Sequence, residues 1–193
     1  MPRLFTAIEL APDLRQAIET YQRQAARVVD AGGRALRLAP SHQFHLTLVF
    51  VGEVDADTAR RVRDRLSGPL DVEPFTVSVG APGVFPPRGA PRVWWLGLGS
   101  GLSPLAQVHE RLVARLAQTG VVLEARAYRP HLTLGRWREG RWPRTAPEWP
   151  APPPMPAQLV SRVTLFESHL RPGGAEHVAL EHTVLGGGTA ALP

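Results

Sequence analysis

The chain has 193 residues, enough for one substantial domain or two small lobes around a shared core, and its 44% hydrophobic content is that of an ordinary globular protein. It has no cysteine, which excludes disulfides, thiolate nucleophiles and Cys-ligated zinc, and all 22 basic residues are arginine, which excludes lysyl-nucleotide intermediates, Schiff bases and a P-loop lysine. A net charge of +5 and a pI near 11.0 favour an anionic partner. Arginine forks suit phosphate, but charge alone does not separate nucleic acid from another polyanion. The absence of both lysine and asparagine reads first as coding bias.

In chain order, Arg3 to Leu10 reads as a strand, with Leu4, Ala7, Ile8 and Leu10 as core. It is not the long apolar region of a cleavable signal, and no apolar run nears the roughly 20 residues of a membrane helix. Pro12 then opens a helix to about Val29, closed by Ala31-Gly32-Gly33. A short run from Ala35 to Leu38 precedes the turn Ala39-Pro40-Ser41. A strand from Phe44 to Val51 follows, closed by Gly52. Asp55 to Leu66 reads as a helix started by Asp55 and Asp57, with Arg60, Arg61, Arg63 and Arg65 on a solvated face.

Phe75 to Val79 alternates as a strand, Ala81 to Pro91 reads as turn, and Arg92 to Leu98 as a strand carrying Trp94 and Trp95. Leu102 to Ala117 has a helical apolar stripe, and a further strand runs from Tyr128 to Arg136. After a proline-rich irregular segment, Leu159 to Glu167 and His177 to Leu185 pair as closing strands about Arg171-Pro172-Gly173-Gly174. A single unit over residues 1–185 is expected, with 186–193 as a loose tail.

One tetrapeptide occurs twice. His45-Leu46-Thr47-Leu48 returns as His131-Leu132-Thr133-Leu134, each copy after a helix and in an extended run. On a strand His and Thr share one face and the leucines the other. Two such strands placed face to face would line a pocket with two imidazoles and two hydroxyls. Those are the parts for opening a phosphodiester without a metal: one histidine takes a proton, the other gives one, and Thr47, Thr133 and the fork of Arg136 steady the phosphate oxygens. The alternative is a pair of half-buried strands with surface histidines. Repetition at both positions favours the joint site.

His42 reads as a surface or turn residue and His109 as structural, while His169, His177 and His182 show no spacing with a mechanism behind it. Trp137, Trp142 and Trp149, interleaved with Arg136, Arg138, Arg141 and Arg144, either stack on a bound partner or cap the core.

The chain closely resembles the two-histidine phosphoesterases, and among them the RNA 2′,3′-cyclic phosphodiesterases also known as 2′-5′ RNA ligases. The likeness rests on Arg3 to Leu10, on Phe44 to Val54 with the first motif, on Pro91 to Gly97, on Tyr128 to Arg136 with the second, and on Leu165-Phe166-Glu167-Ser168 with Pro172-Gly173-Gly174. It implies an α+β fold of two pseudo-symmetric lobes, each an antiparallel sheet with helices, around a central cleft. It implies metal-independent hydrolysis of a terminal 2′,3′-cyclic phosphate to a 2′-phosphomonoester, with His131 as base for the water and His45 as acid for the leaving 3′ oxygen. Thr47, Thr133 and Arg136 are then the phosphate contacts. A cytoplasmic monomer is expected, without cofactor, metal or membrane partner, acting on RNA ends or cyclic nucleotides. The reverse joining reaction and a non-catalytic RNA-binding module remain as alternatives. Gly135 departs from the family in standing where a larger residue is common.

Overall fold

The computed structural model describes residues 1–30, 35–171 and 174–186. In chain order the elements are β1 (Arg3–Glu9), α1 (Pro12–Val29), β2 (Leu36–Leu38), a single 3₁₀ turn at Ser41–Gln43, β3 (His45–Glu53) and α2 (Ala56–Leu66). There follow β4 (Phe75–Phe85), β5 (Val93–Ser100), α3 (Leu102–Ala117), β6 (Leu132–Trp137), β7 (Gln158–Val160), β8 (Arg162–Arg171) and β9 (Gly174–Val184). The glycines expected to end α1, the centre of the closing turn and the tail beyond Gly186 lie outside the described residues.

Each helix starts for a local reason. Pro12 sits in the first turn of α1, where its missing N–H costs nothing, and Leu14, Ile18, Tyr21, Gln22 and Ala25 form the buried stripe. Asp55 caps α2, its Oδ1 accepting the Thr58 N–H at 2.7 Å. Gly101 enters α3 at φ +78°, and a Cβ there would meet the Thr76 carbonyl at 2.6 Å, so only glycine fits. The arginines of α2 are exposed, as expected, with Arg60 paired to Asp57 and Arg63 to Glu181.

The strands form one antiparallel sheet in the order β7-β4-β5-β6-β3-β1-β8-β9, with β2 added to β6. Its centre is thin. β3 and β6, the two motif strands, meet at one recorded pair, Leu46 opposite Leu132. That pair joins equivalent positions of the two motifs, so a local two-fold axis runs through it and divides the sheet into β3-β1-β8-β9 and β6-β5-β4-β7. The helices cross over: Tyr21 of α1 packs its ring against Trp94 of β5, and α3 lies on β3.

The main core lies between helices and sheet and includes Leu4, Ile8, Leu46, Leu48, Leu96, Leu132, Leu134 and Leu165 from the strands. The other face of the sheet carries a separate apolar cluster of Phe5, Ala7 and Phe166. It is this second face that presents the motif histidines and threonines.

Several boundaries differ from expectation. β4 runs on to Phe85, because the supposed turn segment pairs with β5 around irregularities at Val79 to Pro82. β6 begins at Leu132 rather than Tyr128, leaving His131 at its mouth. The stretch expected as one strand from Leu159 is two: β7 pairs with β4, and after Ser161 the chain enters β8, which pairs with β1. One residue thus links strands at distant places in the sheet order, which requires the sheet to curl. Gly52 lies inside β3 at φ +85° rather than ending it.

Candidate active site

Both motifs carry a β-bulge at the same place. Thr6 is opposite Val49 and Ala7 opposite Thr47, so Leu48 is the extra residue on β3. Trp95 is opposite Thr133 and Trp94 opposite Gly135, so Leu134 is the extra residue on β6. A bulge leaves backbone groups without ladder partners, and one such group in each motif is met from nearby. The buried Thr6 hydroxyl accepts the Val49 N–H at 3.1 Å. The Leu134 carbonyl takes the Ala39 N–H at 2.9 Å and the Gln22 side-chain amide at 2.6 Å.

The bulge decides which way Arg136 faces. Strict alternation from Thr133 would turn it towards the core with Leu134. With Leu134 extra, Arg136 stands opposite Val93, whose face is that of Trp95 and therefore of Thr133. Arg136 joins His131 and Thr133 through this one-residue slip. The equivalent position on β3 is Phe50, opposite Phe5 on the same face and 54% exposed. The histidines and threonines are duplicated and the cation is not.

The Leu46–Leu132 register, carried one residue either way, sets His45 across from Thr133 and Thr47 across from His131. All four side chains are half-buried, while the intervening leucines are buried. The histidines are held alike. His45 Nδ1 lies 2.8 Å from the Gln43 carbonyl and His131 Nδ1 2.7 Å from the Arg129 carbonyl, in each case two residues back. A carbonyl only accepts, so each Nδ1 carries hydrogen and each neutral ring keeps its lone pair on Nε2.

Aromatic rings wall both histidines. Phe5 lies 5.0 Å from His45 between ring centroids, and Phe85 lies 4.9 Å from His131 with Trp95 at 6.3 Å. Trp95 finds room because Gly83, opposite it, has no side chain; a Cβ there would stand 2.3 Å from the indole. Burial under these walls pushes the His45 pKa down to about 4, against the supporting Gln43 carbonyl and helped by His177 and His131. Burial also lowers His131, opposed by the Arg129 carbonyl and reinforced by Arg136.

His177 is the residue the sequence does not announce. Its ring stands 5.3 Å from His45 and 4.9 Å from Phe5, edge-on to both. It arrives there by a bend in the β8–β9 hairpin. β8 pairs with β1 only as far as Glu167 opposite Leu4, and the hairpin continues beyond. A flat continuation would leave the sheet at the Arg3 end. Instead Gln43, which precedes the opposite end of β3, donates its side-chain amide to the Ala175 carbonyl at 2.5 Å. Gln43 therefore ties the hairpin with its side chain and His45 with its carbonyl. Burial lowers the His177 pKa, with His42 adding to it, and its Nδ1 is buried without a partner among the described residues.

The other histidines stay away from this constellation, as expected. His42 is exposed in the 3₁₀ turn, His109 stacks on Tyr128 at 4.2 Å, His169 meets Glu167 at 3.7 Å, and His182 contacts Thr164. The tryptophans of this segment pack against the core. Trp149 stacks on the buried Trp94 at 4.9 Å, Trp137 is buried beside them, and Trp142 lies under Arg92.

Known proteins resemble this chain over nearly its full length. An RNA 2′,3′-cyclic phosphodiesterase of Thermotoga maritima is 28% identical over 190 residues, covering 96% of this chain and 97% of that one. One of Thermus thermophilus is 29% identical over 202 residues, covering 96% and 91%. The crystal structure of Escherichia coli LigT complexed with 3′-AMP superimposes with a TM-score of 0.74 at 27% identity, covering 96% of this chain and 99% of that one. The family model described as the 2′-5′ RNA ligase superfamily matches residues 10–171, and the chain belongs to that family.

Proposed function

We propose that this chain is an RNA 2′,3′-cyclic phosphodiesterase, opening a terminal 2′,3′-cyclic phosphate to a 2′-phosphomonoester and a free 3′-hydroxyl. The observation that carries the reading is the matched presentation of His45 and His131: two rings on one sheet face, astride a local two-fold axis, each fixed by Nδ1 on the carbonyl two residues back. In-line displacement at phosphorus needs a base and an acid on opposite sides, and this arrangement supplies two nitrogens for the purpose. The names of the relatives support the same activity.

In this reading, Nε2 of His131 takes a proton from a water whose oxygen bonds to phosphorus. The P–O3′ bond breaks, and Nε2–H of His45 gives its proton to the departing O3′. Thr47 and Thr133 donate hydroxyls to the non-bridging oxygens, and Arg136 sets its guanidinium against their charge. Burial holds His45 lower than His131, the reverse of what acid and base roles ask of the free protein, so this division of roles requires the bound anionic diester to raise the proton affinity of His45 above that of His131. After product leaves, His131 releases its proton to solvent and His45 regains one.

The test is an assay on adenosine 2′,3′-cyclic monophosphate in EDTA, with the product phosphate located by NMR. A 2′-phosphate is expected. A 3′-phosphate, or activity that requires added metal, overturns the mechanism. His45→Ala and His131→Ala are each expected to lower kcat by about 10²–10⁴ with an unchanged circular dichroism spectrum. Full turnover in either removes that residue from the site.

A further inference from the structure

The site face does not end at Arg136. Beyond the bulge, alternation resumes along β6 and turns Trp137 to the core and Arg138 back to the face of Arg136. The neighbouring β2 pairs in register, Leu36 with Trp137 and Arg37 with Arg136, so Arg37 shares that face. The Arg138 N–H donates to the Ala35 carbonyl at 2.8 Å, extending the pairing by one residue. Arg37, Arg136 and Arg138 are all exposed. Among the described residues none of the three has an ion-pair partner; Glu139, next in the chain, has none either.

Like charges directly opposite on adjacent strands repel. Arg37 against Arg136 is such a pair, left without an acidic partner on the one face where a phosphate is to bind. An anion between the two guanidinium groups removes the conflict. The track leads away from the reacting phosphate: Thr133 to Arg136 spans the bulge and so two pleats, about 7 Å, with Arg37 one strand further out and Arg138 one pleat beyond.

We infer that Arg37 and Arg138, with Arg136, form a subsite for the phosphodiester of the adjoining nucleotide, so that the preferred substrate is an oligoribonucleotide bearing the cyclic phosphate rather than a cyclic mononucleotide. This deepens the hydrolase reading above and rests on it for the placement of the chain end. The partner class is single-stranded RNA, whose charges recur along the track.

The experiment compares kcat/KM on adenosine 2′,3′-cyclic monophosphate and on a diadenosine ending in a 2′,3′-cyclic phosphate, for the wild type and for Arg37→Gln, Arg37→Lys and Arg138→Gln. The wild type is expected to prefer the dinucleotide tenfold or more. Arg37→Gln is expected to lose most of that preference through KM, staying within twofold of wild type on the mononucleotide; Arg138→Gln shows the same in weaker form, and Arg37→Lys keeps it. The slope of log kcat/KM against log salt on the dinucleotide becomes shallower by about 0.7 for each phosphate contact removed. Equal loss on both substrates, or no loss in either glutamine variant, overturns the subsite. If the wild type hydrolyses neither substrate, the hydrolase reading falls separately. Anisotropy of a fluorescent 3′-phosphorylated oligoribonucleotide then decides the track: weaker, less salt-dependent binding by Arg37→Gln upholds it, and unchanged binding overturns it.

Discussion

At the scale of single residues, the site works by burial set against charge. His45 and His131 are both held below the ordinary histidine value by their aromatic walls, His45 at about 4. The pH dependence of kcat/KM reports the free enzyme. Below the lower of the two values both rings are charged and no base remains; above the higher, both are neutral and no donor remains. The kcat/KM bell is therefore expected to peak below pH 6.5, measured with the cyclic mononucleotide. The kcat profile is expected at higher pH, because a bound phosphate would favour the imidazolium. A kcat/KM optimum at or above pH 7 contradicts the depressed values. That His45 shares a face with Thr47, and His131 with Thr133, was legible in the sequence, since a repeated His-x-Thr pattern needs only the two-residue pleat. The side on which Arg136 stands was not. Counting by twos from Thr133 points it inward, and only the extra residue at Leu134 turns it out.

At the scale of elements, the paired bulges are the devices that shape the motif strands. Thr6 is buried and serves the Val49 N–H that the first bulge leaves over. Thr6→Val keeps the shape and removes the acceptor, so it is expected to cost about 1–3 kcal/mol in urea unfolding with little change in far-UV dichroism. Gly135 makes room in the same terms: a Cβ there would stand 3.0 Å from the Arg37 carbonyl and 3.1 Å from Leu36, crowding β2 where it pairs.

The β8–β9 hairpin acts on His45 through Gln43. Gln43→Ala frees Ala175 and loosens the carbonyl that holds the imidazole. Histidine titration by NMR is expected to show the His45 value rising from about 4 as its cover relaxes and His177 moves off, because desolvation is the larger cause and outweighs the weakened Gln43 carbonyl contact, which acts the other way. The kcat is expected to fall about tenfold, as for a lost orienting contact, with KM changing less. An unmoved titration leaves Gln43 a merely structural contact. Nothing in the local pattern around His177 announces its approach, because that depends on a bend settled by a contact between residues 43 and 175.

At the scale of the molecule, the helices were legible almost to the residue, since Pro12, Asp55 and the apolar stripes are local signals. The strand order was not. β7 and β8 are separated by one residue yet pair with β4 and β1, and Gln158 reaches from β7 to the Ala11 N–H and the Glu9 carbonyl. These crossings, with α1 and α3 exchanged between the halves, lead to the expectation that the halves unfold together. Urea transitions followed by tryptophan fluorescence, which reports the half holding Trp94 and Trp149, and by far-UV dichroism are expected to coincide. Separate midpoints would show the thin β3–β6 seam to be a boundary of cooperativity.

The mismatch of Phe50 with Arg136 reaches further than the charge it adds. A cleft with perfect two-fold symmetry would accept a phosphodiester in two orientations, and one of them would bring the leaving oxygen to the wrong imidazole. Placing a cation at one of the equivalent positions and a phenyl ring at the other gives the cleft a polarity. In the proposed reaction the strand would then be admitted in one sense only, and a residue that is neither histidine would decide which of them gives the proton and which takes it.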